Sequence, residues 1–500
     1  MIDWTDFIRG VATLFSWDIP LSIILGLTLG VIFGAIPGLT GGMGIAILTP
    51  FTFRLPLMPS LVFLTSVYTG GCFGGAISAI LINTPGSPAS VSTTLDGYPM
   101  TLKGLSNEAL GISIAASAIG GFIGMLFLLL IMKPLANLAL RFGPPEMFMV
   151  AVFGLTIISS LQERGFAKGM LAGLFGMMLG TMGMSSTGAI RGGFNIMYLL
   201  DGIPVIPALI GLFAFSELFF LMEKEYITEG GEIIKRDLKK MIKGFRTALR
   251  YPFNIVRSSL IGIIIGALPA AGATVANIVS YNEAKRLSRH SHTFGKGEPE
   301  GLVAAESANN SSEGGAMATM LALGIPGGQA TAVLIGAFML QGLLPGPRLF
   351  HKHMHVIYGL IAAELIEEIV LIAVGFVIAF YFAGIVTIPT RILIPTIAMF
   401  CMVGSFALRN AMFDAYLMFI FGLIGWIMRK HGYPVIAVVL GIILGPIADA
   451  ELIRTHQLFA GDLTVFFTRP ISLALVILSV MAVALPYLLR RRKKGHTREK

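Results

Sequence analysis

The chain has 500 residues, of which 55% are hydrophobic and only 13% are charged. Charge this sparse cannot cover the water-exposed surface of a chain of this length, which excludes an ordinary soluble protein. Several windows of 18 or more residues carry almost no charge and are long enough to cross the hydrocarbon core of a bilayer. Because these apolar runs are continuous rather than alternating, they predict an all-α polytopic membrane protein and not a β-barrel.

The formal net charge of +9 comes largely from two basic clusters. Eight Lys or Arg residues lie within 224–250 and seven within 490–500, and both clusters lie beside apolar runs. The positive-inside rule places both clusters in the cytoplasm, so the basic charge indicates membrane topology rather than nucleic-acid binding. We therefore expect a cytoplasmic C-terminus and no nucleic-acid partner.

The apolar runs along the chain predict about 11–14 transmembrane or re-entrant segments. They are interrupted at 223–253, where charges of alternating sign indicate a cytoplasmic amphipathic linker. This pattern divides the chain into a first transmembrane repeat at 1–222, the charged linker, a second transmembrane repeat at 254–489 and a basic cytoplasmic tail at 490–500.

Three motif pairs occur in the same order in the two halves. GAIP at 34–37 matches GALP at 266–269, GGA at 74–76 matches GGA at 314–316, and Pro85-Gly86 matches Pro326-Gly327. Secondary transporters often consist of inverted repeats whose Gly- and Pro-interrupted helices form the binding site. We therefore expect two related halves, arranged as inverted repeats with broken helices.

The first PG loop, residues 83–90, has the sequence NTPGSPAS. Its two prolines cannot continue a helix, and irregular backbone at membrane depth survives only when it is buried in protein or lines a wet cavity. The N–H groups that open the next helix can hold a carboxylate. An ordinary extramembrane loop is the competing interpretation. The candidate substrate ligands in this loop are Asn83, Thr84, Gly86, Ser87 and Ser90.

The second PG loop, residues 323–331, has the sequence LGIPGGQAT and follows an adjacent pair of asparagines. Polar side chains beside an apolar run are costly unless they find partners, although Asn also serves as a helix cap. We predict that this asparagine pair meets Asn83 and Thr84 near the bilayer midplane. The candidate substrate ligands from the second half are Asn309, Asn310, Gly327, Gly328 and Thr331.

Two further breaks, at 37–42 and 269–274, are also paired between the halves. Their candidate cation ligands are Gly38, Thr40, Gly272 and Thr274, and the competing interpretation is glycine that merely allows close helix packing. No Lys or Arg occurs at 55–102 or at 297–347, the stretches that contain the PG loops. We therefore expect backbone N–H groups at helix N-termini, and not a basic side chain, to hold an anionic substrate.

Glu364, Glu367 and Glu368 share one helix face inside an apolar run. Carboxyl groups within a membrane indicate proton or cation coupling, although this face can instead point at the cytoplasm or a partner subunit. The chain has no HExxH, P-loop or GxSxG motif. We therefore expect no catalytic residue, no metal site and no cofactor, with Na⁺ or H⁺ as a coupling ion.

At these motifs the chain resembles the large membrane subunit of the tripartite tricarboxylate transporters. The resemblance extends over nearly the whole chain and is carried by GAIPGLTGG at 34–42, ILINTPGSPASVSTTLDGYPM at 80–100, GALPAAGATVANIVSYNEAKR at 266–286, EGLVAAESANN at 300–310, LGIPGGQATAVLIGA at 323–337 and GDLTVFFTRPIS at 461–472.

The resemblance implies a transporter subunit that is not an enzyme and that imports citrate or another organic carboxylate by symport with Na⁺ or H⁺. It implies two protein partners, a small membrane subunit of about four spans and a periplasmic substrate-binding protein. It also implies a multi-pass protein in the lipid bilayer of a bacterial or archaeal cytoplasmic (inner) membrane. A passive ion channel and a membrane-embedded enzyme are the alternatives, but paired internal breaks favour alternating access.

Overall fold

The computed structural model describes residues 3–160, 166–185, 187–222, 236–269, 271–382 and 390–496. These residues are almost entirely helical, which confirms the prediction of an all-α polytopic membrane protein. Within them, the only strands are β1 (Gly183–Met184) and β2 (Ile190–Arg191). The two strands pair antiparallel, with Gly183 opposite Arg191.

The helices before the charged linker differ widely in length. They are α1 (Trp4–Ala12), α2 (Asp18–Ala35), α3 (Gly41–Thr52), α4 (Leu57–Ile82), α5 (Val91–Leu102), α6 (Ser106–Ala139), α7 (Pro144–Ser160), α8 (Phe166–Gly180), α9 (Val205–Leu209) and α10 (Ser216–Leu221). A π-helical segment, Ile210–Phe215, joins α9 to α10.

The linker and the chain beyond it contain a second series of helices. They are α11 (Leu238–Ala248), α12 (Pro252–Gly266), α13 (Gly272–Leu287), α14 (Pro299–Leu323), α15 (Gln329–Leu340), α16 (Pro347–Lys352), α17 (Met354–Phe382), α18 (Thr390–Arg409), α19 (Met412–Lys430), α20 (Val435–Leu458), α21 (Val465–Thr468) and α22 (Pro470–His496).

Six helices in the described part of the chain are long and apolar enough to cross a membrane. They lie at Asp18–Ala35, Leu57–Ile82, Ser106–Ala139, Arg391–Arg409, Met412–Lys430 and Val435–Leu458. Shorter apolar helices, such as α3 and α15, accompany them. The 25-residue α14 and the 29-residue α17 are also long enough to span, but their hydrophobic sequences contain buried acidic residues.

The predicted helix breaks occur because glycine, asparagine and proline end each helix. Gly38, between α2 and α3, has φ 90°, and Gly272, at the start of α13, has φ 52°. Asn83 ends α4 and Gly324 ends α14, both in the left-handed conformation, with φ 53° and 71°. A proline follows two residues after each of these caps and prevents the helix from continuing.

The two motif-related helix pairs, α2 with α4 and α12 with α14, pack in the same way. A Cβ on Gly34 would lie 2.4 Å from the Gly71 carbonyl oxygen, and one on Gly266 would lie 2.2 Å from that of Ser312. Gly30 and Gly262, one turn earlier, face backbone carbonyls at the equivalent positions. The repeated sequence motifs therefore produce repeated helix packing, because only glycine permits so close an approach.

The helices α4 and α14 cross each other at the centre of the molecule. Thr69 on α4 contacts Glu313 on α14, whereas Cys72, further along α4, contacts Asn309, which is earlier on α14. The two helices therefore run in opposite directions at their contact, as inverted repeats require. α6 packs against α14 and α17 and encloses this crossing.

The described part of the linker forms the helix α11, which packs against α6. Asp237 caps α11 by accepting a hydrogen bond from the Lys240 N–H at 3.1 Å. A Cβ on Gly244 would lie 2.0 Å from the Glu108 carbonyl oxygen, so α11 lies directly on the start of α6. The rest of the predicted linker, residues 223–235, lies outside the described residues, and the boundaries of the two halves stay a prediction.

Candidate functional site

A cavity of about 870 Å³ lies where the helix breaks of the two halves come together. Residues at the N-terminal ends of α3 and α13 line it, as do residues of both PG loops. The π-helical segment, the beginnings of α10 and α20 and the end of α19 complete its wall. The cavity therefore gathers unpaired helix ends, which in a membrane need partners from protein, water or a ligand.

Thr40 lines this cavity at the beginning of α3. Its hydroxyl caps α3 by accepting a hydrogen bond from the Met43 N–H at 3.2 Å, and it lies 3.3 Å from Gln329 Oε1. Gln329 is the first residue of α15 and belongs to the second PG loop. The break in the first half is therefore linked to the PG loop of the second half.

The helix that follows the first PG loop, α5, makes the reciprocal contact with the second half. Val91 begins α5 after a 3-10 turn that starts at Pro88. The Ser92 N–H donates a hydrogen bond at 2.9 Å to Oδ1 of Asn277, which lies on α13. Asn277 also donates to the Ala305 carbonyl at 3.1 Å. Each half thus supplies a helix tip that is held beside the PG loop of the other half.

Both PG loops are packed tightly against backbone. The Gly86 N–H donates to the Gly75 carbonyl at 3.3 Å, and a Cβ on Gly86 would lie 1.9 Å from the Gly34 carbonyl oxygen. A Cβ on Gly327 would lie 2.5 Å from the carbonyl oxygen of Gly266, the equivalent position. No larger residue fits at either position without moving the backbone, because the neighbouring atoms are carbonyl oxygens.

The cavity wall contains one charged pair. Arg429, near the end of α19, donates a hydrogen bond through Nη1 to Glu217 on α10, and its guanidinium lies 4.7 Å from the centre of the Phe220 ring. Both charged residues line the cavity, and Arg429 is partly exposed within it. The expectation that no basic side chain holds the substrate stays a prediction, but the cavity wall does contain the guanidinium of Arg429. Arg429 is remote in sequence from both PG loops, and only the packing of α19 brings it there.

The predicted site residues divide into two groups in the structure. Those that line the cavity are Gly38, Thr40, Gly86, Ser87 and Thr274, and Gly272 follows the lining residue Ala271. Three of the predicted cation ligands and two of the predicted substrate ligands therefore line one common cavity. Gln329, Arg429 and Tyr433 also line it, and no local sequence pattern distinguished them.

Several other predicted ligands have structural contacts instead. Asn83 is an exposed left-handed cap, and the Thr84 hydroxyl donates to the Ile82 carbonyl at 3.3 Å. Ser90 is buried beside Gly75. The Thr331 hydroxyl accepts from the Gly328 N–H at 3.0 Å and caps α15. Gly328 itself has open space around its Cα, in contrast to the buried Gly327.

Asn309 and Asn310 lie fully buried in the middle of α14. The Asn309 Nδ2 donates to the Cys72 carbonyl at 3.1 Å, and the Asn310 Nδ2 donates to the Glu306 carbonyl at 3.2 Å. The predicted meeting with Asn83 and Thr84 is therefore wrong, because Asn83 lies exposed at a helix end. The sequence correctly indicated that these amides need partners, but those partners are backbone carbonyls at the centre of the molecule.

The three glutamates of α17 are buried rather than exposed. Glu364, Glu367 and Glu368 have exposed fractions of at most 1%, so their face does not point at the cytoplasm. Glu367 contacts Thr65 on α4 at 3.0 Å, and Glu368 packs against Gly121 of α6. The described residues contain no group of three or more His, Cys, Asp or Glu side chains placed to hold a metal ion.

The comparisons with known proteins agree with the membrane architecture. The model of the tripartite tricarboxylate transporter TctA family matches residues 21–440. The chain is 34% identical over 481 residues, or 95% of each chain, to a protein of Agrobacterium vitis described as an uncharacterized 52.8 kDa protein in the TAR-I ttuC' 3' region.

A second relative in the same organism, an uncharacterized protein in the TAR-II ttuC' 3' region, is 34% identical over 233 residues. That match covers 47% of this chain and 96% of the relative. No solved structure matches the chain. Because the family model covers most of the sequence, including both PG loops, the chain belongs to the tripartite tricarboxylate transporter TctA family.

Proposed function

We propose that the chain is the transporting subunit of a secondary carboxylate importer, and that its substrate binds in the cavity between the paired helix breaks. Membership of a tricarboxylate transporter family supports the general class. The observation that carries the proposal is that α3, α13, α15 and the turn before α5 all begin at this cavity, two from each half. Anions are stabilised at helix N-termini by unpaired N–H groups and by the helix dipole.

The electrostatics of the cavity suit a substrate with more than one carboxylate. Helix N-termini contribute partial positive charge, about half an elementary charge each, which is fixed by the backbone. Arg429 adds a full charge in a planar geometry that matches a carboxylate, but Glu217 neutralises it when the cavity is empty of anion. The guanidinium has five N–H donors and contacts Glu217 through Nη1, so a substrate carboxylate can bind Arg429 through the remaining donors while Glu217 keeps its partner.

The predicted cation ligands also belong to this proposal. Gly38, Thr40 and Thr274 line the same wall as the substrate candidates Gly86 and Ser87. A coupling ion, Na⁺ or H⁺, that binds near the anion would offset part of its charge and make the affinity depend on the ion gradient. Such a dependence is what a symporter needs, because loss of the ion on the cytoplasmic side weakens the site and releases the substrate.

The remaining parts of the assembly are proposed from the family. A small membrane subunit of about four spans accompanies this chain, and a periplasmic binding protein delivers the organic carboxylate. The chain lies in the cytoplasmic membrane of a bacterium or archaeon, with its basic C-terminal tail in the cytoplasm. The clusters of Lys and Arg near 224–250 and 490–500 support this orientation.

A binding experiment tests the location of the substrate. The purified chain in detergent is titrated with a panel of labelled mono-, di- and tricarboxylates, with and without Na⁺ and at several pH values. We expect saturable binding of at least one di- or tricarboxylate, and we expect a Trp introduced at Val91, whose side chain lines the cavity, to block it. Binding that survives Val91→Trp in a folded variant would place the substrate elsewhere.

A further inference from the structure

Four buried glutamates surround the crossing of α4 and α14. Glu313 belongs to α14, and Glu364, Glu367 and Glu368 belong to α17. All four are at most 1% exposed, and none takes part in an ion pair within the described part of the chain. Four unpaired carboxylates at membrane depth would be very costly if all were ionised.

The hydroxyl of Thr69 lies between two of these carboxyl groups. Its Oγ1 is 3.0 Å from Glu313 Oε1 and 3.4 Å from Glu367 Oε2. A hydroxyl has one proton to donate, so it cannot satisfy two ionised carboxylates at once. Both contacts of Thr69 are hydrogen bonds when one of the two carboxyl groups is protonated and donates its own hydrogen to the Thr69 oxygen.

Thr65, one turn earlier on α4, has the same geometry. Its Oγ1 lies 3.1 Å from the Val62 carbonyl oxygen and 3.0 Å from Glu367 Oε1. The backbone carbonyl can only accept, so the hydroxyl proton is directed to one of two acceptors. If the Thr65 hydroxyl donates its proton to the Val62 carbonyl, the hydrogen bond between Thr65 and Glu367 requires a proton on the Glu367 carboxyl group. The contacts of Thr69 thus favour a proton within the glutamate cluster, and those of Thr65 are compatible with one.

An independent observation also indicates a missing donor at this place. The Oδ1 atom of Asn309 is fully buried and has no hydrogen-bond partner. Its amide nitrogen is bound to the carbonyl of Cys72, one turn beyond Thr69 on α4, and Asn309 lies one turn before Glu313 on α14. The carboxyl oxygens of Glu364 and Glu368 likewise have no partner. Buried acceptors without donors indicate a ligand that brings hydrogen or positive charge.

We propose that Glu313 and Glu367, bridged by Thr69, bind the coupling proton, and that Glu364 and Glu368 exchange it with them. The proposal rests on the proposed function of ion-coupled carboxylate transport and deepens it: the coupling ion is a proton, and it binds to these glutamates rather than to the cavity residues Gly38, Thr40 and Thr274. The chemical step is the uptake of one H⁺ by a carboxylate to give the neutral acid and its later release. No electron transfer or other reactant is involved.

The groups that face the cluster from the neighbouring helices are acidic or neutral. The titratable ones are Tyr68 and Cys72 on α4 and Glu306 on α14, and Glu306 accepts hydrogen bonds from Thr93 and Ser117. Among the basic residues of the surrounding helices, Lys133 of α6 is paired with Asp3 at 2.8 Å, and Arg9 of α1 and Lys352 of α16 are exposed. These basic side chains therefore leave a positive charge to be supplied to the cluster, and the position of the Thr69 hydroxyl between two carboxyl groups favours a proton.

The helix α4 connects the proton site to the substrate cavity. Thr69 lies six residues before Gly75, about 9 Å along the helix, and the Gly75 carbonyl accepts the Gly86 N–H of the first PG loop. Protonation changes the contact between α4 and α14, and each of these helices ends in a PG loop. The two binding events can therefore shift one conformational equilibrium.

The test uses the complete transporter, with its partner subunits, in Na⁺-free liposomes. An imposed pH difference of one unit, alkaline inside, is expected to drive about tenfold accumulation of labelled carboxylate if one proton accompanies each substrate. Glu313→Gln and Glu367→Gln, which imitate the neutral acid, are expected to abolish this accumulation. They should keep exchange of labelled for unlabelled carboxylate, because exchange requires no return of an unloaded carrier.

Matched variants separate coupling from folding. Thr69→Val removes the bridging hydroxyl and is expected to reduce accumulation while exchange persists, whereas Thr69→Ser should keep both. Glu283→Gln, in a surface pair with Arg286, should change neither. Thr69→Val also supplies the test if a glutamine variant fails to fold, as judged by size-exclusion chromatography.

The outcomes distinguish this proposal from the proposed function. Accumulation that persists in folded Glu313→Gln and Glu367→Gln, or is unaffected in Thr69→Val, overturns the proton site. So does a wild-type transporter that responds to an Na⁺ gradient and not to the pH difference. In each of these cases, exchange by the wild-type transporter would still demonstrate carboxylate transport, so the proposed function would stand. Absence of both exchange and accumulation in the wild type would instead overturn the proposed function.

Discussion

Gly86 and Gly327 hold the two PG loops against the backbone of α2 and α12. A Cβ at these positions would lie 1.9 Å and 2.5 Å from the carbonyl oxygens of Gly34 and Gly266. Alanine is therefore not a neutral replacement at either glycine. The adjacent Gly328, which has no neighbouring atom within 4 Å of an added Cβ, provides a better control.

We predict that Gly86→Ala and Gly327→Ala each destabilise the protein by about 1–3 kcal/mol or more, because the backbone must move to accept the methyl group. Gly328→Ala should change stability by less than about 0.5 kcal/mol. Thermal unfolding in detergent, followed by the loss of monodisperse protein, compares the three variants. Equal Tm values for Gly327→Ala and Gly328→Ala would show that the loop is not packed as described.

Arg429 provides the second prediction at this scale. Arg429→Gln removes a charge-assisted hydrogen bond to the substrate, worth about 1.5–3 kcal/mol, and should weaken carboxylate binding by about 10- to 100-fold. Arg429→Lys should restore part of the affinity, since a point charge remains without the planar fork. Equilibrium binding of the labelled carboxylate measures both variants.

Lys430 is the matched control for Arg429, because it adjoins Arg429 and carries the same charge. It lies over the Trp426 ring, 4.8 Å from its centre, and does not line the cavity. Lys430→Gln should leave the Kd unchanged. If Lys430→Gln weakens binding as much as Arg429→Gln does, the effect is one of general surface charge and Arg429 does not contact the substrate.

At the scale of elements, Asp96 ties α5 to the beginning of α14. Its Oδ1 accepts hydrogen bonds from the N–H groups of Gly295, Gly297 and Glu298 at 2.8–2.9 Å, and its Oδ2 accepts from the Tyr281 hydroxyl at 2.8 Å. The carboxyl group is fully buried. One side chain thus fixes the first PG loop's helix to the loop between α13 and α14.

We predict that Asp96→Ala lowers the free energy of unfolding by more than about 3 kcal/mol, because several donors lose their acceptor together. Asp462→Ala is the control: its side chain is exposed and accepts one N–H, from Thr464 at 2.8 Å, so its effect should be small. Urea or thermal unfolding of the purified variants provides the comparison. A change for Asp96→Ala no larger than that for Asp462→Ala would contradict the account of this junction.

The sequence predicted where the helices begin and end better than it predicted which distant residues pack together. The helix breaks and the close helix pairs depend on local rules, such as proline after Asn83 and glycines one turn apart at Gly30 and Gly34. The position of Arg429 in the cavity, and the contact of Glu367 with Thr69, depend on how distant helices pack. The partner of the Asn309 amide depends on the same long-range packing, since its acceptor is a backbone carbonyl on another helix.

For the whole molecule, the charged segment between the two halves suggests a simple test of their boundary. A chain interrupted between residues 229 and 230 yields two fragments that retain the contacts of α6 with α11 and α14 across their interface. We predict that the co-expressed fragments purify together, since the buried faces on both sides remain intact. An interruption inside α14, between residues 310 and 311, should prevent assembly. Failure of the first pair to associate would contradict the proposed division.

The most direct test of the central claim is solute accumulation by the complete transporter in liposomes without ATP. A panel of labelled di- and tricarboxylates is supplied outside, under an imposed gradient of H⁺ or of Na⁺, and the internal concentration is followed with time. A secondary importer predicts that at least one carboxylate accumulates above its external concentration, and that collapsing the gradient with an ionophore releases it. Equilibration without accumulation under every gradient would contradict the account and indicate a passive pore instead.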